Sequence, residues 1–219
     1  MDQLQRDTTL TQLKARVSTA ADNYSDYTIT CRDQTFKLQK IILHVHSEYF
    51  VRMLTGKFKE AQSNSSSYTV DHDPEEFKAM IDFFYGFGYD VPRGRSPLLF
   101  HVQIYELANF YEAVFCENYA QEIFKAAAEF DHPRPQVMKV IRKIETLSAI
   151  PAVDEEKGFR KLAMKQVVDQ LSVYLKDEEF RVMTDELSGW AVDFISFLTA
   201  FLPFDAEPGS LNHWVEPEG

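Results

Sequence analysis

The sequence contains little cysteine, and its basic residues are fewer than its acidic ones. Its two cysteines, Cys31 and Cys116, lie far apart among 219 residues, both on apolar-patterned segments. We therefore expect two buried free thiols rather than a disulfide framework, which is typical of a reducing compartment. Lys and Arg number 23 against 34 Asp and Glu, a net charge of -11. Because no basic cluster resembles a phosphate-binding surface, nucleic acid is not an expected partner.

Long apolar runs and catalytic signatures are also missing. The N-terminal MDQLQRDTTLTQLK lacks the apolar core of a signal peptide, and no later stretch is long and apolar enough to span a bilayer. We expect an intracellular protein, cytoplasmic or nuclear, with no membrane partner. No GxGxxG, P-loop, HExxH or GxSxG pattern occurs, so we expect neither an enzyme nor a cofactor.

What is present is a large apolar content, 45% hydrophobic and 14% aromatic, enough to bury a real core. Residues 27–31, YTITC, alternate apolar and polar as a half-buried strand does, and Phe36 and Leu38 repeat that period after a polar turn. This pattern predicts a hairpin. A third short strand is expected at 68–70.

Helical spacing follows the hairpin. One helix is predicted from about Lys40 to Leu54, ending near Gly56, with a single apolar stripe formed by Ile42, Val45, Tyr49, Phe50, Met53 and Leu54. The next helix has Asp73 as its predicted N-cap, Pro74 in the first turn and Glu76 three residues past the cap. Capping and the helix dipole explain these acids better than a catalytic carboxylate cluster does.

The second half of the chain is predicted to be entirely helical. Two prolines in DHPRPQ, residues 131–136, suggest a boundary. Three amphipathic stripes follow, formed by Val137, Val140, Ile141, Ile144 and Leu147, then by Phe159, Leu162, Ala163, Val167 and Tyr174, then by Trp190, Ala191, Phe194, Ile195, Leu198 and Phe201. Their large aromatic side chains should pack against the first half. The tail rich in Pro, Gly and acids, 203–219, is expected to be disordered.

Two candidate chemistries have ordinary structural explanations. His44 and His46 could suggest a metal pair, but residues two apart on a helix point to different faces, so surface or partly buried positions are expected. Cys31 lacks a Cys-x-x-Cys partner, and a strand cysteine explains it better than a nucleophile. A thiol- or metal-dependent enzyme stays a remote alternative.

The order of these elements resembles the BTB/POZ domain. The resemblance lies in YSDYTITC, TFKLQKIIL, SEYFVRML, FKEAQ, DPEEFKAMIDFFYGFGYD and VQIYELANFYEAVFCENYAQEIF, which together run from about Tyr24 to Ala128. It implies an α+β fold, a small sheet flanked by a helical cluster, at 24–130 after an N-terminal segment, 1–23. The helical region at 136–202 resembles the extension of single-BTB proteins of filamentous fungi.

The resemblance also implies that the domain associates with itself. A homodimer interface is expected from the helix at 40–54 together with Leu10, Leu13 and Val17, which lie at helical spacing before it. In transcriptional members of the family a charged pocket at the positions of Asp26 and His46 recruits partners. This chain departs from the family pattern there, since it has His46 in place of Arg or Lys and Gln39 in place of His.

A short triplet implies a second partner. Phe58-Lys59-Glu60 matches the family's hydrophobic-x-glutamate pattern that contacts the cullin scaffold of ubiquitin ligases, so Phe58 and Glu60 are the predicted cullin-binding residues. The predicted function is a non-catalytic interaction module, a cullin adaptor whose client is unknown. The alternative is an oligomerisation scaffold, transcription-associated or structural, without a ligase link.

Overall fold

The computed structural model describes residues 23–55, 66–86, 88–147 and 158–201. The predicted interface residues Leu10, Leu13 and Val17, the predicted cullin-binding residues Phe58 and Glu60, and the tail at 203–219 lie outside these ranges.

A three-stranded sheet opens the described chain. Strand β1 (Tyr27–Cys31) pairs antiparallel with β2 (Gln34–Leu38) and parallel with β3 (Ser67–Val70), giving the order β2-β1-β3. The predicted hairpin and third strand are confirmed. Arg32 makes the hairpin turn in the left-handed region, at φ 52°. The alternating β1 side chains Tyr27, Ile29 and Cys31 are buried in the core.

The predicted single helix at 40–54 is wrong, because the chain forms two helices, α1 (Lys40–His46) and α2 (Glu48–Thr55). Ser47 separates them in an extended conformation with φ -146°. Its hydroxyl accepts a hydrogen bond from the Phe50 amide at 3.1 Å and donates one to the Tyr111 carbonyl at 2.5 Å. The break also changes the buried face of α1, since Leu43 is buried whereas Val45, predicted to face inward, is exposed.

Three longer helices complete the first half. Helix α3 (Pro74–Phe84) begins as predicted, with the Asp73 carboxylate accepting from the Glu75 and Glu76 amides. Helix α4 (Pro97–Phe110) is apolar on most sides and is the central helix of the core, against which α3 and α5 (Val114–Ala127) pack. An all-round apolar helix is expected to be buried in this way.

The second half forms five helices within the described ranges: α6 (Arg134–Thr146), α7 (Phe159–Asp169), α8 (Leu171–Tyr174), α9 (Glu178–Glu186) and α10 (Ser188–Phe201). Tyr174 therefore does not share a helix with Phe159, because the chain leaves helical geometry at Gln170, at φ -125°. The sequence interpretation also missed α9. Its signals were Asp177, which caps the Glu179 and Phe180 amides, and the apolar pair Phe180 and Met183.

The two halves share one core that includes Phe159, Trp190 and Phe194, as predicted, and Phe159 is the aromatic that contacts the first half directly. Phe159 of α7 lies edge-on to Tyr105 of α4 and Phe124 of α5, with ring centroids 4.9 and 4.7 Å apart. Gln166, also on α7, donates from Nε2 to the Ala128 and Phe130 carbonyls at 2.7 and 3.0 Å. These contacts fix the helical region against the end of α5.

Candidate protein-interaction surfaces

Two clusters of exposed apolar side chains lie on the first half of the molecule. The first, here the α1 face, consists of Ile41 and Val45, one helical turn apart and 63% and 64% exposed. The second, here the corner patch, consists of Phe110, Val114 and Phe115 at the turn from α4 to α5. Contiguous apolar surface of this kind commonly marks an interaction site.

The α1 face is held in place from both ends of its helix. At the start, the Asp26 carboxylate accepts a hydrogen bond from the Lys40 amide at 2.7 Å, and the Gln39 side chain accepts one from the Tyr85 hydroxyl. At the end, the His46 ring stacks on Phe84 with centroids 5.0 Å apart. These contacts bury Leu43 and leave Ile41 and Val45 outward.

Asp26 and His46, the predicted charged-pocket pair, lie at opposite ends of α1. At about 1.5 Å per helical residue, the six steps from Lys40 to His46 span roughly 9 Å. Burial lowers the pKa of His46, opposed by an interaction with the Phe84 backbone, so the ring favours its neutral form. His44, in contrast, is exposed, and the two histidines face different surroundings, as predicted.

The corner patch lies at a tight turn in which successive side chains point alternately inward and outward. Tyr111 and Ala113 point inward and are fully buried, so their neighbours project outward. Glu112 adopts φ 50°, a left-handed conformation that is uncommon for a residue other than glycine. Phe115 is 71% exposed, a large apolar side chain left to solvent.

An ion pair joins helix α2 to this corner. Both terminal nitrogens of Arg52 donate to the Glu112 carboxylate, at 2.6 and 2.5 Å, and these bonds lower the pKa of Glu112. The bidentate geometry orients both side chains. Behind it, Tyr49 of α2 contacts the Phe110 ring, with centroids 5.7 Å apart. The corner patch is thus rigidly joined to the end of α2, a link between residues 60 positions apart that the sequence did not indicate.

The cysteines are buried and free, as predicted. The Cys31 thiol donates to the His72 carbonyl at 3.3 Å. Burial raises its pKa, which that hydrogen bond only partly opposes. Burial raises the pKa of Cys116 to about 12. Since the thiolate is the reactive form, neither environment activates a cysteine nucleophile.

The described residues contain no group of three or more His, Cys, Asp and Glu side chains that could hold a metal ion. Within the same ranges, every helix is too short or too polar to cross a membrane.

A small sheet beneath a helical cluster, with rigid exposed apolar patches, defines a protein-interaction domain. The BTB/POZ domain model matches residues 17–136, which is more than half of the chain. The chain therefore belongs to the BTB/POZ family, and its α+β fold is confirmed. BTB/POZ domains are protein-protein interaction modules and are in general not enzymes.

Two curated relatives share this domain. BTB and MATH domain-containing protein 15 of Caenorhabditis elegans is 36% identical over 64 residues, 29% of this chain and 23% of that protein. BTB/POZ domain-containing protein At2g30600 of Arabidopsis thaliana is 42% identical over 64 residues, 28% of this chain and 8% of that protein. The chain matches less than a quarter of either relative. The likeness of the helical region to fungal single-BTB proteins stays a prediction.

Proposed function

We propose that this chain is a homodimeric adaptor that binds a cullin-type scaffold protein through the corner patch together with Phe58 and Glu60. The observation that carries the proposal is the corner patch itself, an exposed aromatic surface joined to α2 by the Arg52 and Glu112 ion pair. A client protein, whose identity is unknown, would bind elsewhere on the same chain.

The chemistry of the corner patch suits an anchor site. The Phe110 ring packs against Tyr49, His72 and Tyr111, so binding loses little conformational freedom there. Phe115 adds exposed aromatic area. Aromatic residues of this kind are enriched at the centre of interfaces, with polar groups at the rim. Arg52 and Glu112 would form part of that rim.

The predicted cullin-binding residues follow α2 in the sequence. Helix α2 ends at Thr55, one turn after Arg52, and Phe58 follows three residues later. The triplet thus follows the helix that Arg52 joins to Glu112 at the corner. The family resemblance of the Phe58-Lys59-Glu60 triplet and the exposure of the patch therefore support the same partner surface.

Self-association is proposed to use the α1 face. Ile41 and Val45 have no apolar cover in the described part of the chain, and a two-fold interface buries the same patch on both copies. Asp26 and His46 border this face at its two ends. The segment with Leu10, Leu13 and Val17 would add to the interface.

Calorimetry with the cullins of the source organism tests the adaptor. Phe58→Ala and Phe115→Ala should each weaken binding by about 2 kcal/mol, roughly thirtyfold, and Glu60→Lys by less, since a rim charge is screened. Phe130→Ala is the matched control, because Phe130 is 69% exposed but lies past the opposite end of α5. Absence of binding by the wild type at tens of micromolar would refute the adaptor.

Light scattering tests the dimer separately. The wild type should have twice the 25.4 kDa chain mass, and Ile41→Glu or Val45→Glu should give a monomer because a charge would be buried at the interface. Val192→Glu on α10, at a position 63% exposed, is the control and should stay dimeric. A dimer that binds no cullin would favour the oligomerisation scaffold, for which the α1 face suffices.

A further inference from the structure

Glu76, at the first turn of α3, is a mostly buried carboxylate in a cluster of like charges. Its side chain is 16% exposed, whereas that of Glu75 beside it is 49% exposed. The Arg95 guanidinium, from the loop between α3 and α4, serves three acids at once. It lies 2.6 Å from Asp73, 2.8 Å from Glu75 and 3.5 Å from Glu76, so Glu76 has the longest of the three contacts.

Two further helices contribute charges to this site. Glu106 of α4 and Lys143 of α6 form an ion pair at 2.5 Å, and both act electrostatically on Glu76. The charged groups of the cluster are Asp73, Glu75, Glu76, Glu106, Arg95 and Lys143. Four carboxylates thus share two cations, an excess of two negative charges when all are ionised.

Glu76 holds its proton more tightly than an ordinary carboxyl group does. Burial, and secondarily Asp73, raise its pKa to about 7, although Arg95 and Lys143 oppose them. A buried carboxylate beside other carboxylates is expected to hold its proton in this way.

We propose that Glu76 is a pH-responsive switch at the joint between the BTB/POZ domain and the helical C-terminal region, and that its ionisation loosens α6 from α4. An ionised Glu76 has no cation to itself, because Arg95, 3.5 Å away, pairs with Asp73 and Glu75 at shorter distances, and Lys143 pairs with Glu106. Local opening of the joint would admit water to the charge and stabilise it.

The sign of the effect follows from proton binding. The folded-state pKa of Glu76, about 7, exceeds the ordinary carboxyl value of 4.5, so the folded protein binds more protons between these values. The stabilising contribution is fully present below pH 4.5 and is lost as pH rises to about 7. Each pH unit in that window should change the unfolding equilibrium constant by up to about tenfold.

The test compares variants of the full chain by chemical denaturation at several pH values from 4.5 to 8. Glu76→Gln should remove the titration, so the ratio of wild-type to variant unfolding constants should rise with pH up to neutrality and then level off. Taking this ratio cancels the contributions of other groups. Glu75→Gln is the matched control: it loses a carboxylate from the same Arg95 but should not reproduce this slope.

Hydrogen exchange locates the effect. Protection factors of α6 amides should fall in the wild type between pH 5.5 and 7.5 and stay level in Glu76→Gln. Lys143→Met, which removes an opposing cation, should move the midpoint of the fall to higher pH, and it serves also if Glu76→Gln does not fold. Parallel pH profiles for wild type and Glu76→Gln, or an unmoved midpoint in Lys143→Met, would overturn the proposal.

Discussion

The two halves of this protein are stabilised by different kinds of contact. In the BTB/POZ half, bonds join residues far apart in sequence: β1 pairs with β3, Ser47 donates to the Tyr111 carbonyl, and Arg52 clamps Glu112. In the second half, short helices pack on apolar stripes, and ion pairs such as Arg160 with Glu145 border them. The long-range bonds of the first half fix the positions of its exposed surfaces. The packed helices of the second half support the elements that carry these surfaces.

Both halves leave apolar side chains to solvent, the second half for example at Val192 and Ile195 of α10, but their surroundings differ. The BTB/POZ half exposes grouped apolar residues at a tight corner and along α1, each fixed by buried partners. The helical half covers α4 and α5 with α6 and α7 and supplies Phe159 to their shared core. We therefore expect changes in the second half to alter stability, and changes on the two exposed surfaces to alter binding.

The largest effect is expected from Phe159→Ala, which removes the aromatic contact between the halves. Losing a fully buried phenylalanine costs about 3 to 5 kcal/mol, since a cavity is left. Urea denaturation should show this loss within a single transition if the halves unfold together. Phe115→Ala, at an exposed position, is the control and should change stability by less than about 0.5 kcal/mol. Equal losses in the two variants would contradict the shared core.

Acid should destabilise the BTB/POZ half through His101. This α4 residue is buried against Tyr89, whose hydroxyl lies 3.1 Å from its Nδ1 atom, and burial lowers its pKa from 6.5 to about 4. The folded state therefore favours neutral His101, so stability present above pH 6.5 is lost as pH falls to about 4.

The expected loss through His101 is about 3 kcal/mol over that window. Denaturation of wild type and His101→Gln at the same pH values measures it, because contributions of opposite sign, such as that of Glu76, cancel in the difference. A difference that does not change between pH 7 and 4 would mean that His101 is not kept neutral.

Ser47→Ala should lower the free energy of unfolding by about 2 kcal/mol. The change removes the hydroxyl that begins α2 and leaves the buried Tyr111 carbonyl without that donor. Asp177→Ala in the second half is the counterpart, because Asp177 caps α9 and pairs with Arg134 at 2.7 Å but sits nearer the surface. Thermal unfolding should show a larger loss for Ser47→Ala. The reverse order would break the contrast between specific long-range bonds and packed stripes.

The smallest effect expected is at a glycine. Gly88 has φ 63°, and a methyl group there would lie 2.6 Å from the Tyr119 hydroxyl, whereas Gly94, at φ 84°, has no atom within 4 Å of that position. Both alanine variants incur the left-handed backbone strain. Denaturant titrations should show that Gly88→Ala lowers the free energy of unfolding by about 1 kcal/mol more than Gly94→Ala does, because Tyr119 must also move. Equal losses of stability in the two variants would show that the Tyr119 side chain moves without a measurable energetic penalty.

Local patterns were sufficient for most of the elements. Alternation at 27–31 identified β1, and Asp73 with Pro74 identified the start of α3, because these signals act between neighbours in the chain. The break at Ser47 and the helix at 178–186 were missed although Ser47 and Asp177 are good N-caps. Each cap lies between apolar residues whose spacing also fits a continuous helix or a loop, so the local signals conflicted.

The sequence by itself determined the family, the buried thiols and the cap at Asp73, since each depends on residue type and short-range spacing. Only the tertiary structure decided that Arg52 meets Glu112 beside an exposed Phe115, that Asp26 and His46 border opposite ends of α1, and that Lys143 reaches the carboxylates around Glu76. These contacts join residues dozens of positions apart. Their distances depend on how whole helices pack, which no local pattern encodes.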